Sequence, residues 1–283
     1  MKAADKKLHI LWLWPDILNQ HGDRGNVMAL ARTCRLYGIE TNITRLNRLS
    51  DVFRPDAADL ILLGAGELAV MPQIVGALSR NFGALKAWAE SGGVLFATGA
   101  TGAALGVHTE RADGSHLYGL GLLDMECRER EAVLGDDLVF RVVDAGAGSA
   151  IAEAGAGAGR AMAEASAGAG AADYAICGLQ IHMADITLAE GQAPFGEVIY
   201  GYGNNGGKAE GAVKGGVFFT NALGPVLVKN PWLTIDIINQ ALKRRGKIGP
   251  LLFDPGLFGL ELASAKAIRA FNENKEKAKW LRT

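Results

Sequence analysis

Apolar and polar positions along this chain fall into blocks that switch between strand-like and helix-like spacing. Leu8–Trp14 (LHILWLW) is a nearly unbroken apolar run ended by Pro15, which predicts a strand. A polar, glycine-bearing loop from Asp16 to Asn26 follows. Val27, Leu30, Ala31 and Cys34 then recur at helical spacing, predicting a helix capped by Asn26 and stopped near Tyr37–Gly38. Glu40–Leu46 and Leu60–Leu63 predict two further strands, and Ile74–Ser91 a helix broken at Gly83. Val94–Ala97 reads as a central buried strand. Gly99 and Gly102 then let the backbone turn sharply into a helix start. This βαβαβ-like alternation predicts an α/β fold: a mostly parallel, twisted sheet flanked by helices, doubly wound.

Beyond the elbow, Tyr118–Asp124, Leu138–Val143, Ile176–His182, Glu197–Tyr202 and Val217–Asn221 predict strands, some in an antiparallel extension. Residues 145–172 are almost entirely Ala and Gly with a few charges. Such a stretch buries little apolar surface against a large ordering cost, so it predicts a flexible insertion. Gly203–Gly207 predicts a tight turn with positive φ. A helix from Pro231 to Arg245 follows the break at Gly224–Pro225, and Lys266–Lys279 reads as a charged, solvated helix. The expected organisation is one domain over 1–245, interrupted at 145–172, and a C-terminal extension over 246–283.

Composition narrows the function classes. The net charge of −1 gives no basic field for a phosphate backbone, so nucleic acid is not an expected partner. No apolar run nears the ~20 residues that span a bilayer, and the residues before Leu8 do not read as a signal peptide. Cys34, Cys127 and Cys177 are dispersed, without metal spacing, which predicts free thiols in a reducing cytoplasm. There is no P-loop, and Gly64-Ala65-Gly66 lacks the third glycine of a dinucleotide fingerprint. No metal and no cofactor is expected.

The chemistry-bearing place in such a fold is the carboxyl end of the sheet. A strand–turn–helix elbow holds a nucleophile exposed there, over a helix N-terminus. Position 98 is where a nucleophile is expected, and the residue is Thr98.

The segments LHILWLWPDILNQHGDRGNVMAL (8–30), DLILLGAGE (59–67), GGVLFATGATGAALG (92–106), DGSHLYGLGLLD (113–124), GLQIHMADITL (178–188), GYGNNGGKAEGA (201–212) and GPVLVKNPWL (224–233) occur in order over residues 8–245. Together they resemble the CobB/CobQ-type class I glutamine amidotransferase-like family, and within it the GatD-type subunits of lipid II isoglutaminyl synthase in peptidoglycan biosynthesis. The resemblance implies a flavodoxin-like core, glutamine as ligand, and a heterodimer with a MurT-like, Mur-ligase-fold subunit. It also implies thiolate chemistry, in which a cysteine in the elbow attacks the glutamine amide and a histidine serves as base and acid.

Here the family's cysteine falls at Thr98, with Gly99 the other equivalent, and its histidine falls at Leu223. A glycine-rich segment shaping the oxyanion and glutamine site corresponds to Gly64-Ala65-Gly66-Glu67, so Gly64, Gly66 and Gly99 are the expected substrate-binding glycines. Arg130 lies nearest the place of an arginine that would hold the glutamine carboxylate. His182 is either a structural histidine or a replacement base. Asp16, Asn19, Asp23, Arg24 and Asn26 form either loop architecture or a docking surface for the ligase-like partner. With both dyad positions changed, the reading is that glutamine hydrolysis is lost, because dyad members act as a unit. The alternatives are a pseudo-amidotransferase scaffold or regulator of a Mur-ligase-like partner, and a small-molecule binding module in the crevice.

Overall fold

The computed structural model describes residues 7–143, 175–244 and 250–280, with side chains to Lys275. The proposed insertion at 145–172 lies outside the described residues, as does the join at 245–249. The first half is an alternation of strand and helix: β1 (Lys7–Leu13), α1 (Arg24–Leu36), β2 (Glu40–Leu46), β3 (Leu60–Leu63), α2 (Met71–Ser79), α3 (Phe82–Glu90), β4 (Val94–Thr98) and the short α4 (Gly102–Leu105). Then come β5 (His108–Glu110), β6 (His116–Tyr118), β7 (Met125–Val142), β8 (Ile176–Leu188), β9 (Gly196–Tyr200), β10 (Ala209–Glu210), β11 (Ala212–Lys214) and β12 (Val217–Thr220). Three helices close the chain: α5 (Val226–Lys229), α6 (Pro231–Lys243) and α7 (Gly259–Trp280).

The main sheet runs β11-β12-β4-β3-β1-β2, parallel except for β11. Its inner strands β3, β4 and β12 are buried throughout because both faces are covered, whereas the edge strand β2 is polar and largely exposed. Leu8, Ile10 and Trp12 of β1 and Val94 and Phe96 of β4 join the core that also holds residues of α1 and α6. Leu11, Leu13, Leu95 and Ala97 join the core that holds residues of α2, α3 and α4. A second sheet, β10-β9-β7-β5-β6 with β8 also paired to β7, stands beside the elbow.

Several expectations shift in the structure. The helix break falls at Arg80–Asn81, not Gly83, where Asn81 Nδ2 donates to the carbonyl of Phe53. Tyr118–Asp124 is a strand only at its first residue. The N–H groups of Leu120, Gly121 and Leu122 instead satisfy the carbonyls of Ala104, Gly106 and Leu105 at the end of α4. Leu138–Val143 is the end of the much longer β7. Asn26 does not cap α1, which starts at Arg24. Asn19 Oδ1 accepts from the Arg24 N–H at 2.8 Å in its stead.

The extension reaches back to the body. Tyr37 Oη donates to the Leu252 carbonyl at 2.7 Å, Arg32 pairs with Glu261 at 2.9 Å, and Lys275 pairs with Asp136. α7 begins at Gly259, seven residues before the expected Lys266, because Leu262, Ala265 and Ile268 pack on the core.

Candidate active site at the elbow

The chain runs from β1 out to β2 and back across to β3, so the sheet's switch point lies between β1 and β3. The loop after β1 fills that crevice. Trp14 takes a left-handed φ of 46°, unusual for a bulky side chain, and its carbonyl accepts from the N–H groups of Ile17 and Leu18. The loop then lies directly on the segment after β3. A Cβ on Gly64 would sit 2.3 Å from the Leu18 carbonyl oxygen, and one on Gly66 would sit 2.7 Å from Leu18 Cδ2. Only glycine lets the two backbones approach this closely. Gln20 N–H closes the contact by donating to the Ala65 carbonyl at 3.1 Å. Gly64 and Gly66 are thus occupied by packing against the loop.

β4 ends at Thr98, which is extended (φ −132°) and buried. Its hydroxyl donates to Asp23 Oδ1 at 2.9 Å, a charge-assisted bond that ties the elbow to the head of α1. The left-handed residue of the elbow is the next one, Gly99, at φ 63°. A Cβ on Gly99 would lie 2.9 Å from Leu223 Cδ2 and 3.0 Å from Ala65 Cβ. Leu223 is 2% exposed and held by a two-bond bridge to Leu179 of β8. So Gly99, Ala65 and Leu223 meet as a packed apolar contact. Thr98 points its hydroxyl the other way, into the polar anchor at Asp23.

Between the elbow and β8 remains a cavity of about 30 Å³, lined by Gly99, Ala100, Cys127, His182 and Asn221 among others. That is room for about one water molecule. His182 is 2% exposed. The Gln180 amide is fixed by donating to the Gly203 carbonyl and accepting from the Gly203 N–H, so its Nε2 donates to His182 Nδ1 at 2.9 Å. The proton of the neutral ring therefore sits on Nε2. Asp185 Oδ1 is 3.3 Å from Nε2 but out of hydrogen-bonding alignment, and Nε2 is left without a partner. Burial lowers the imidazole's pKa, against the opposing pull of Asp185. A neutral ring whose one lone pair is already taken is a poor general base. Cys127 is no substitute nucleophile, since burial pushes its thiol up to about 12. Cys34 is likewise raised to about 12 by burial, and Cys177 is raised for the same reason.

No protein-family model matches the chain. The GatD subunit of lipid II isoglutaminyl synthase (glutamine-hydrolyzing) from Streptococcus pneumoniae is 24% identical to it over 242 residues, spanning 84% of this chain and 82% of that protein. The GatD subunit from Staphylococcus aureus is 26% identical over 243 residues, spanning 85% and 86%. The chain is thus similar to GatD subunits along most of its length. Among solved structures, PurLQS from Thermotoga maritima superposes with a TM-score of 0.52 at 15% identity, covering 85% of this chain and all of that one. That likeness speaks for the fold alone, a mixed α/β architecture of two sheets flanked by helices.

The remaining expected site residues scatter. Arg130 sits on a bulge of β7 opposite β8, where the register shifts between Glu129 and Leu134. Its Nη1 donates to Asp185 Oδ1 at 2.7 Å and to Tyr202 Oη at 2.8 Å, and its guanidinium lies over the Tyr202 ring. The Asp185 bond raises its pKa further and keeps it charged. The 16–26 loop divides in two. Asp16, paired with Arg45, is exposed, as are Asn19 and Arg24. Asp23 and Asn26 are buried, Asn26 Oδ1 accepting from the Leu227 N–H at 2.9 Å. Gly25 abuts Pro225, where a Cβ would approach to 2.5 Å. The loop's buried half is architecture that seats α1 on the Gly224–Pro225 turn.

No motif singled out Glu210, Thr220 and Asn221 as a buried cluster. Glu210 is fully buried and accepts from Thr220 Oγ1 (2.6 Å), Asn221 N (2.8 Å) and Asn221 Nδ2 (3.0 Å). Asn204 ties in through Asn221 and both backbone groups of Gly211. Asn204 thus serves the turn, and the only hint was its place in GYGNNG.

Proposed function

We propose that this chain is the GatD-like subunit of a lipid II isoglutaminyl synthase-like complex in peptidoglycan biosynthesis, and that its own glutaminase site is closed. It holds a Mur-ligase-fold partner as a pseudo-amidotransferase scaffold. The relatives' printed names as subunits of that synthase support the assembly. One observation carries the closure: Leu223 Cδ2 lies where a side chain at Gly99 would have to stand, 2.9 Å from its Cβ position. On this reading Gly99, by its left-handed backbone, stands at the elbow's nucleophile position and Leu223 at the base position. Neither can take or release a proton. Thr98 keeps the elbow pinned to Asp23 and takes no part in chemistry. A thiolate is reachable near neutral pH, whereas a threonine hydroxyl needs a strong base, and His182 is neutral with its Nδ1 occupied. The cavity of about 30 Å³ gives no support to glutamine, or to a larger ligand, as an occupant.

The test is reconstitution of the chain with the Mur-ligase-fold subunit of the same organism, lipid II and ATP. Amidation supported by ammonium and not by glutamine, and enhanced by this chain, is the expected outcome. Amidation driven equally well by glutamine would sink the reading.

A further inference from the structure

Resting on that reading, we infer that the partner subunit docks in the groove along the outer face of α1, with an apolar segment flanked by acidic side chains. The groove measures about 700 Å³ and runs between α1, the start of β2, the 227–231 turn and the head of α7. Its apolar lining is open to solvent: Met28 is 60% exposed and Val228 38%. Isolated exposed apolar residues are ordinary, but here they line one continuous concavity with Ile39 and Phe258.

Charge gives the occupant its sign. Both acidic residues of the groove are already neutralised, Glu261 by Arg32 at 2.9 Å and Glu40 by Lys7 at 2.7 Å. Arg35 in the groove and Arg24 at the head of α1 make no ion pair with any described residue. The surplus is positive, so carboxylates beside the apolar anchor complement it. The neighbouring sheet edge is also open. The link from β2 to β3 carries only a 3-10 turn at Pro55–Ala57 where a covering helix would lie, and Ile43 of β2 is 40% exposed. α1 is moreover tied to the elbow through Asp23–Thr98, and to the helix after the Gly224–Pro225 turn through Asn26–Leu227. A subunit seated on α1 therefore sits beside the closed crevice.

The experiment measures binding of the full chain to the Mur-ligase-fold subunit of the same organism by calorimetry at low and high salt. Met28→Asp is expected to weaken Kd about tenfold or more, the scale of losing a buried anchor. Arg35→Glu is expected to weaken it with a flatter salt dependence. Val133→Asp, on the β7 bulge and 61% exposed in the wild type, is expected to leave Kd unchanged. All three positions are on the surface, so circular dichroism and melting confirm that the variants fold. Met28→Asp and Arg35→Glu binding like wild type, or Val133→Asp losing the more, would overturn the groove. A wild-type chain that binds no such subunit would bring down the proposed function beneath it, which is a distinguishable result.

Discussion

Two neighbouring regions of this molecule are built on opposite principles. At the elbow, Gly99, Ala65 and Leu223 meet as apolar surfaces, with no titratable group in the contact. One residue before Leu223's neighbour Ala222, Asn221 belongs to a buried network in which Glu210, Thr220, Asn204 and the Gly211 backbone bond one another. The polar residues that make the sequence look like an amidotransferase therefore build the frame. The place where the chemistry would occur is filled by packing. Buried polar networks are costly when broken and specify one arrangement, so they can hold a fold in place independently of any reaction.

The comparison can be broken at the frame first. Glu210→Ala leaves the buried Thr220 hydroxyl and Asn221 N–H without an acceptor. It is expected to cost about 3–5 kcal/mol, read by denaturant unfolding. A loss near zero would show the network to be wet or replaceable. At the elbow, Gly99→Cys must adopt a left-handed φ and displace Leu223 and Ala65. It is expected to cost roughly 2–3 kcal/mol and to yield no glutaminase activity. Measurable hydrolysis by that single variant would mean a working base already faces the elbow. Thr98→Val removes the donor to buried Asp23 and is expected to cost about 1.5–3 kcal/mol in melting experiments. Thr98→Cys is expected to leave glutaminase activity absent, because Leu223 still offers no base.

A further effect is on pH. Burial pushes the Asp236 carboxyl up from 3.8 to about 7, and it raises that of Glu210 as well. The folded chain then keeps protons that the unfolded chain releases. Stability is full below the ordinary carboxylate range and falls as pH rises, across 3.8 to about 7 for Asp236. Asp236→Asn is expected to flatten that slope in melts taken between pH 4 and pH 7. An unchanged slope would place the titration elsewhere.

Much of the frame was legible because it is local. The apolar runs at 60–63 and 94–97 became β3 and β4, and the turns at Gly38 and Gly203–Gly207 carry the positive φ that their glycines imply. What failed was set by partners distant in the chain. YGLGLLD has a strand's alternation, yet its N–H groups are taken by the end of α4. Asn26 has a cap's chemistry, yet bonds Leu227, while Asn19 serves Arg24 from five residues back. Within the candidate site, Thr98 and Gly99 were both in view as alternatives. The backbone at Gly99 and the reach of Leu223 across the crevice separate their roles, and neither can be read from spacing.

The most direct measurement is ammonia and glutamate release from glutamine by the purified chain, alone and in complex with its Mur-ligase-fold subunit, against a heat-inactivated control. The closed elbow predicts no release in either form. Release above the control, abolished by changing His182 or Cys127, would contradict it and place a working dyad in the small cavity beneath β8.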